Sequence, residues 1–167
     1  GGPSAEHDIS LESGRTMVQA LDRRRYDVLP IVIDSQKRWL KAPNLLKQGS
    51  KIPELSQALI PAVEHKAGRL DVALLALHSY GEDGVIQGFL ETLGIPYTGP
   101  GVLTSAVAMD KAKFKVFCRG LGVPVLPDVL VTRADWRNRP RQAKRDIQKL
   151  GNKVVIKPNQ SGSSAGV

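Results

Sequence analysis

The chain has 167 residues, 41% of them hydrophobic, 24% charged and 5% aromatic, with 24 Lys and Arg against 16 Asp and Glu. That length holds one ordinary domain, or a compact one with part of a second, and the mix excludes a wholly disordered chain as well as any apolar run near the roughly 20 residues of a membrane helix. The single cysteine, Cys118, excludes an internal disulfide and, with three scattered histidines, leaves no metal-ligand spacing.

The first residues carry no basic segment followed by an apolar one, so the reading is a soluble protein of a reducing cytoplasm. The formal charge of +8 raises nucleic-acid binding as one reading. Against it, the densest basic stretch, "RADWRNRPRQAKRDIQK", also holds Asp135 and Asp146 and reads as a solvated helix face. A positive balance equally suits a site for a polyphosphate.

In chain order, "GGPSAEHDIS" opens on a glycine pair that normally follows a strand. Leu11, Gly14, Val18 and Leu21 then fall at helical spacing, with Ser10 as N-cap and Glu12 in the first turn. "YDVLPIVID" reads as a strand. Residues 36–68 are punctuated by Pro43, Gly49, Pro53 and Pro61 and read as a loop with a short helix. "DVALLALHS" does not alternate between Val72 and Leu77, as in a strand buried on both faces of a parallel sheet. "SYGEDG" turns the chain, and Ile86, Phe89, Leu90 and Leu93 mark a helix closed by Gly94.

"IPYTG" reads as a short strand and "TSAVAMD" as a helical turn ending at an N-cap, Asp110. Phe114, Phe117, Cys118 and Leu121 line the next helix, stopped at Gly122. "VPVLPDVLVT" and "KVVIKP" read as strands on either side of the basic helix, before the closing loop "SGSSAGV". Strands and helices alternate up to about Asp110 as in a doubly wound α/β sheet, where ligands sit beyond the carboxyl ends of the strands. "GGPSAEHDIS" and "HSYGEDG" are therefore expected to converge. Both ends read as cut, with a central strand expected before the glycine pair, and the chain alone is expected to be poorly stable because neighbouring strands lack a partner.

Several residues could carry chemistry, each with a plain structural alternative. Lys157 lies on an apolar strand, where it either snorkels to water or meets an anion. The loop after it offers backbone N–H groups and hydroxyls, as a phosphate clamp or as a mobile tip, but it is not a Walker loop. Lys111 starts a helix, where free N–H groups also favour phosphate. Glu6 could hold a substrate ammonium or compensate a helix dipole. His78 could contact substrate or be a satisfied core imidazole. Glu82 and Asp83 are neighbours, one of them capping the next helix, and a two-carboxylate hydrolase is the remote alternative.

Taken together, "GGPSAEHDIS", "LHSYGEDGVIQGFLETLGIPYTGPGVLTSAVAMDK" and "VVIKPNQSGSSAGV" resemble the D-alanine:D-alanine ligases of the ATP-grasp superfamily. The specific part is "GEDGxxQG" followed by "GIPYTGxGVxxSAxAMDK"; residues 36–68 and the basic helix match poorly. The resemblance implies a doubly wound N-terminal substrate domain over 1–110 and part of an ATP-grasp lid domain over 111–167. It implies ATP-dependent joining of two D-alanines through an acylphosphate for peptidoglycan. Glu6 would hold the ammonium of the first D-alanine, and His78 and Glu82 would lie near its pocket. Lys111 and Lys157 would contact ATP phosphates. Gly162, Ser163 and Ser164 would form the closing serine loop, with catalytic roles for Glu6 and Ser163. Mg2+ or Mn2+ is implied with ligands outside this chain, as are small-molecule partners only, without nucleic acid or membrane, and a full-length homodimer.

Family members carry a glycine directly after the histidine, where this chain has Ser79, and one more residue before "GEDG". A ligase of the same family using D-lactate or D-serine, and a catalytically incomplete binding fragment, stand as alternatives.

Overall fold

The computed structural model describes residues 1–41, 68, 70–162 and 166–167. The chain divides into two compact units, Gly1–Ala106 and Val107–Val167.

In the first unit, helix α1 runs His7–Ala20. It begins earlier than the sequence suggests, because the Ser4–His7 turn, closed by His7 N donating to Ser4 O at 3.2 Å, leads directly into it. Glu6, not Ser10, occupies the N-cap position and makes no side-chain cap bond. Ser10 lies inside the helix, 2% exposed, with its hydroxyl donating to Glu6 O at 3.0 Å. A buried serine satisfies its hydroxyl on the preceding turn in this way.

The strand read over "YDVLPIVID" shortens to β1, Ile31–Ile33, because Pro30 has no N–H to give a ladder. It pairs antiparallel with β2, Trp39–Lys41, in a region read as loop or short helix. Asp34 builds the turn between them: Oδ1 accepts from the Gln36 and Arg38 N–H groups at 2.9 and 2.8 Å, and Oδ2 accepts from Arg38 Nε at 2.6 Å. The rest of that reading, the expected short helix included, concerns residues 42–67, which lie outside the described residues.

Among the described residues, Val72–Leu77 makes one parallel bridge, between Ala73 and Tyr97 in the "IPYTG" segment. Ala73 N donates to Pro96 O at 2.8 Å, and Thr98 N donates to Ala73 O at 3.0 Å. Burial on both faces is not observed: Val72 is 51% exposed, whereas Leu75 and Leu77 pack on the core. Alternate side chains of an extended segment face opposite ways, and only one face is covered among the described residues.

Helix α2, Val85–Thr92, forms as its periodicity requires, and Gly94 ends it at φ 69°. Its Ile86 and Leu90 join Ile33 and Ile95 in the core, and Trp39 meets Phe89 with ring centroids 5.4 Å apart. Each such aliphatic side chain contributes about 1.5–3 kcal/mol. Helix α3, Val102–Met109, is longer than the single turn expected and crosses the boundary between the units.

The second unit opens with α4, Lys111–Gly120, capped by Asp110 and ended before Gly122, φ 72°. On its expected apolar face Cys118 is buried, while Phe114, Phe117 and Leu121 are exposed. The basic segment forms two helices, α5 (Arg133–Asn138) and α6 (Pro140–Gln148), rather than one. Pro140 lacks the N–H that continuing α5 would need, and fits the start of α6 instead. The segments "VPVLPDVLVT" and "KVVIKP" form no ladder with described residues, and Ile156 is 76% exposed. An isolated strand has no neighbour for its N–H and C=O groups, so extended backbone alone does not make a sheet.

Candidate functional site

The first cluster joins α1 to the segment after Leu77. Gly2 permits the close approach of the two loops: a Cβ there would lie 2.2 Å from Tyr80 Cδ1, and its φ is +88°. Ser4 Oγ donates to His78 O at 3.3 Å, and the His78 N–H donates to Ser10 Oγ at 3.0 Å. The His78 ring is reached by Ser13, with Oγ and Nε2 2.8 Å apart. The expected convergence of "GGPSAEHDIS" and "HSYGEDG" is thus observed, and Ser10 links it to the backbone of Glu6.

Glu6 itself is 5% exposed, and its Oε2 has no hydrogen-bond partner among the described residues. A buried carboxylate oxygen without a donor is costly, and a bound cation or N–H group would relieve it. Glu82 is exposed and serves the backbone: Oε2 accepts the Ser79 N–H at 2.6 Å. Asp83, not Glu82, serves the start of α2, with Oδ1 accepting the Val85 N–H at 3.1 Å. Ser79 has φ 66°, a left-handed conformation that explains why a glycine suits this position.

The second cluster lies within Val107–Val167. Asp110 Oδ1 accepts the Lys113 N–H at 3.0 Å, while Oδ2 accepts from Lys113 Nζ and from Gln160 Nε2, both at 3.1 Å. The Lys113 N–H foremost, then the Asn159 amide, hold this carboxyl well below the usual carboxylate range, against the opposing pull of burial. Asn159 docks on α4 twice: its Oδ1 accepts the Ala112 N–H at 2.9 Å, and its carbonyl accepts the Lys111 N–H at 3.1 Å. Lys111 Nζ donates to Ser161 O. Lys157, two residues before Asn159, is exposed and makes no hydrogen bond or ion pair with described residues. Gly162 is half-buried; Ser163 and Ser164 lie outside the described residues.

Ser10, Ser13, Asn159 and Gln160 escape sequence reasoning. For the serines a signal exists: two hydroxyls three apart on one helix face. For the amides, "PNQ" is too common a turn composition to point anywhere. Among the described residues no group of three or more His, Cys, Asp or Glu could hold a metal ion. No described helix is long and apolar enough to cross a membrane.

Residues 1–100 match the family described as D-ala D-ala ligase N-terminus. The D-alanine–D-alanine ligase of Deinococcus radiodurans is 37% identical over all of this chain and 50% of its own length; that of Chlorobium chlorochromatii is 38% identical over all of this chain and 52% of its own. The crystal structure of the D-alanine–D-alanine ligase of Bacillus anthracis, 35% identical, superposes with a TM-score of 0.70 over 99% of this chain and 45% of that one. The VanG D-Ala:D-Ser ligase of Enterococcus faecalis, 26% identical, reaches a TM-score of 0.75 over 98% of this chain and 51% of that one.

These matches first define a class: an α/β chain with the fold of the ATP-grasp ligases. Within that class, the chain belongs to the D-alanine–D-alanine ligase family. It spans about half the length of the curated relatives it matches.

Proposed function

We propose that the protein carrying this chain joins two D-alanines at the expense of ATP, through an acylphosphate on the first, to supply the dipeptide for peptidoglycan. The observation that carries this reading is Glu6: its buried Oε2 has no donor among the described residues, and its backbone is tied through Ser10 to His78, in the region matching the family. Glu6 would receive the ammonium of the first D-alanine, and His78 would contact the same molecule. Glu82 supports that pocket through the Ser79 backbone. Residues 1–110 would form the amino-acid domain and residues 111–167 part of the nucleotide lid.

Phosphoryl transfer between anions needs cations that spread the developing charge. Lys111 and Lys157 would meet the ATP phosphates, and Gly162, Ser163 and Ser164 would close over them to keep water from the acylphosphate. Lys111 would exchange the Ser161 carbonyl for a phosphate oxygen. Mg2+, when bound, would neutralise phosphate charge, with ligands outside this chain. We place the protein in the cytoplasm, as a homodimer.

The test is an assay of the full-length protein with ATP and D-alanine, with D-serine and D-lactate as competing acceptors. D-alanyl-D-alanine as main product, lost with Glu6→Gln, is expected. A mixed product from D-serine or D-lactate would move the protein to that branch of the family. No ATP-dependent product with any of the three would overturn the reading.

A further inference from the structure

Glu6, Ser10 and Ser13 follow one another at spacings of four and three, so they share a face at the start of α1. The Ser10 hydroxyl is engaged by Glu6 O and by the His78 N–H, which fixes the His78 backbone against that face. Ser13 reaches the ring itself, with Oγ 2.8 Å from Nε2. His78 Nδ1 has no hydrogen-bond partner among the described residues. A neutral imidazole has one N–H and one acceptor nitrogen, and the group bound at one nitrogen decides which of them carries the proton.

We propose that Ser13 is a positioning residue for His78: its hydroxyl donates to Nε2, keeps the ring proton on Nδ1, and leaves that N–H to donate to the carboxylate of the amino acid whose ammonium Glu6 holds. The substrate part of this statement rests on the function proposed above; the tautomer part does not. A serine here thus acts on the substrate only through the histidine. Ser10 differs, because it is deeply buried and holds backbone on both sides.

Two measurements on the full-length protein test it. In steady-state kinetics, Ser13→Ala raises the KM for the first D-alanine about tenfold and leaves the KM for ATP unchanged, whereas Ser13→Thr, which keeps the hydroxyl, returns the D-alanine KM to within about threefold of wild type. In 15N NMR of the wild-type histidines, His78 shows an unprotonated Nε2. An unchanged D-alanine KM in Ser13→Ala, a threonine variant as impaired as the alanine one, or a proton on Nε2 overturns the proposal. Should Ser13→Ala fail to fold, the tautomer of the wild-type protein decides alone. A wild-type protein that makes no dipeptide would sink the proposed function and the substrate contact, while the NMR reading would still decide the role of Ser13 toward the ring.

Discussion

Gln160 Nε2 donates to Asp110 Oδ2 at 3.1 Å across 50 positions of sequence, and through that bond the segment before the serine loop is tied to the start of α4. The same carboxylate caps α4 through the Lys113 N–H. Asp110→Ala removes both at once, and the full-length protein is expected to lose about 1–2 kcal/mol in urea unfolding. Asp110→Asn keeps an acceptor for the cap and should lose less. Equal stability of all three proteins would show that the clamp contributes nothing.

Acid should weaken the second unit. Asp110 is held down by the Lys113 N–H, Asp135 by the Thr132 hydroxyl and Asp146 by the Lys149 ammonium, each below the ordinary value of 3.8. A carboxyl that titrates lower in the folded chain than in the unfolded one stabilises fully above the unfolded value, and that contribution drains away as the pH falls through the folded one. The melting temperature is therefore expected to lose these contributions below about pH 4. Asp110→Asn should make the acid limb shallower than in wild type; an identical limb would remove Asp110 from the account.

Ser79 holds a left-handed backbone at φ 66° while its N–H is bound by Glu82. Ser79→Gly relieves the conformation and keeps the bond. A gain of roughly 0.5–1 kcal/mol is expected from thermal or urea unfolding. A loss would mean that the serine side chain contributes more than its backbone costs.

Gly84 sits at φ 93° before α2, and a Cβ there would lie 2.8 Å from the backbone oxygen of Val102. Gly84→Ala combines a disfavoured conformation with a clash against backbone, so a loss above about 2 kcal/mol is expected. Circular-dichroism melts of the two proteins would show it as a lower midpoint with unchanged helix content.

Lys157 is exposed and unpaired with described residues, so its removal should leave folding alone. Lys157→Ala in the full-length protein is expected to keep its melting temperature and to lose about 10²-fold in turnover. Turnover close to normal would take this lysine out of the proposed mechanism.

Several elements could be read along the chain. The helix over Val85–Thr92 follows from four apolar residues at helical spacing and a glycine stop, and Asp110 as a cap follows from its place before Lys111. Such features are local: the residues that determine them lie within a turn of one another. Strands were harder, because "KVVIKP" and "DVALLALHS" have strand composition, yet pairing depends on neighbours that composition does not supply. Glu6 and His78 could be singled out by residue type, and the structure links their backbones through Ser10, whereas the roles of Lys111 and Lys157 belong to the proposed function.

By itself, the order of residues determined the family, the α/β class and where the helices over Val85–Thr92 and Lys111–Gly120 lie, because motif spacing and apolar period are properties of a line of residues. Only the tertiary structure decided that Ser13 meets the ring of His78, that Glu6 is buried with a carboxylate oxygen unpartnered among the described residues, and that Gln160 grips Asp110. Those relations join residues far apart in the chain or depend on burial, and hydrogen bonds of that kind exist only once packing has brought their donors and acceptors within reach.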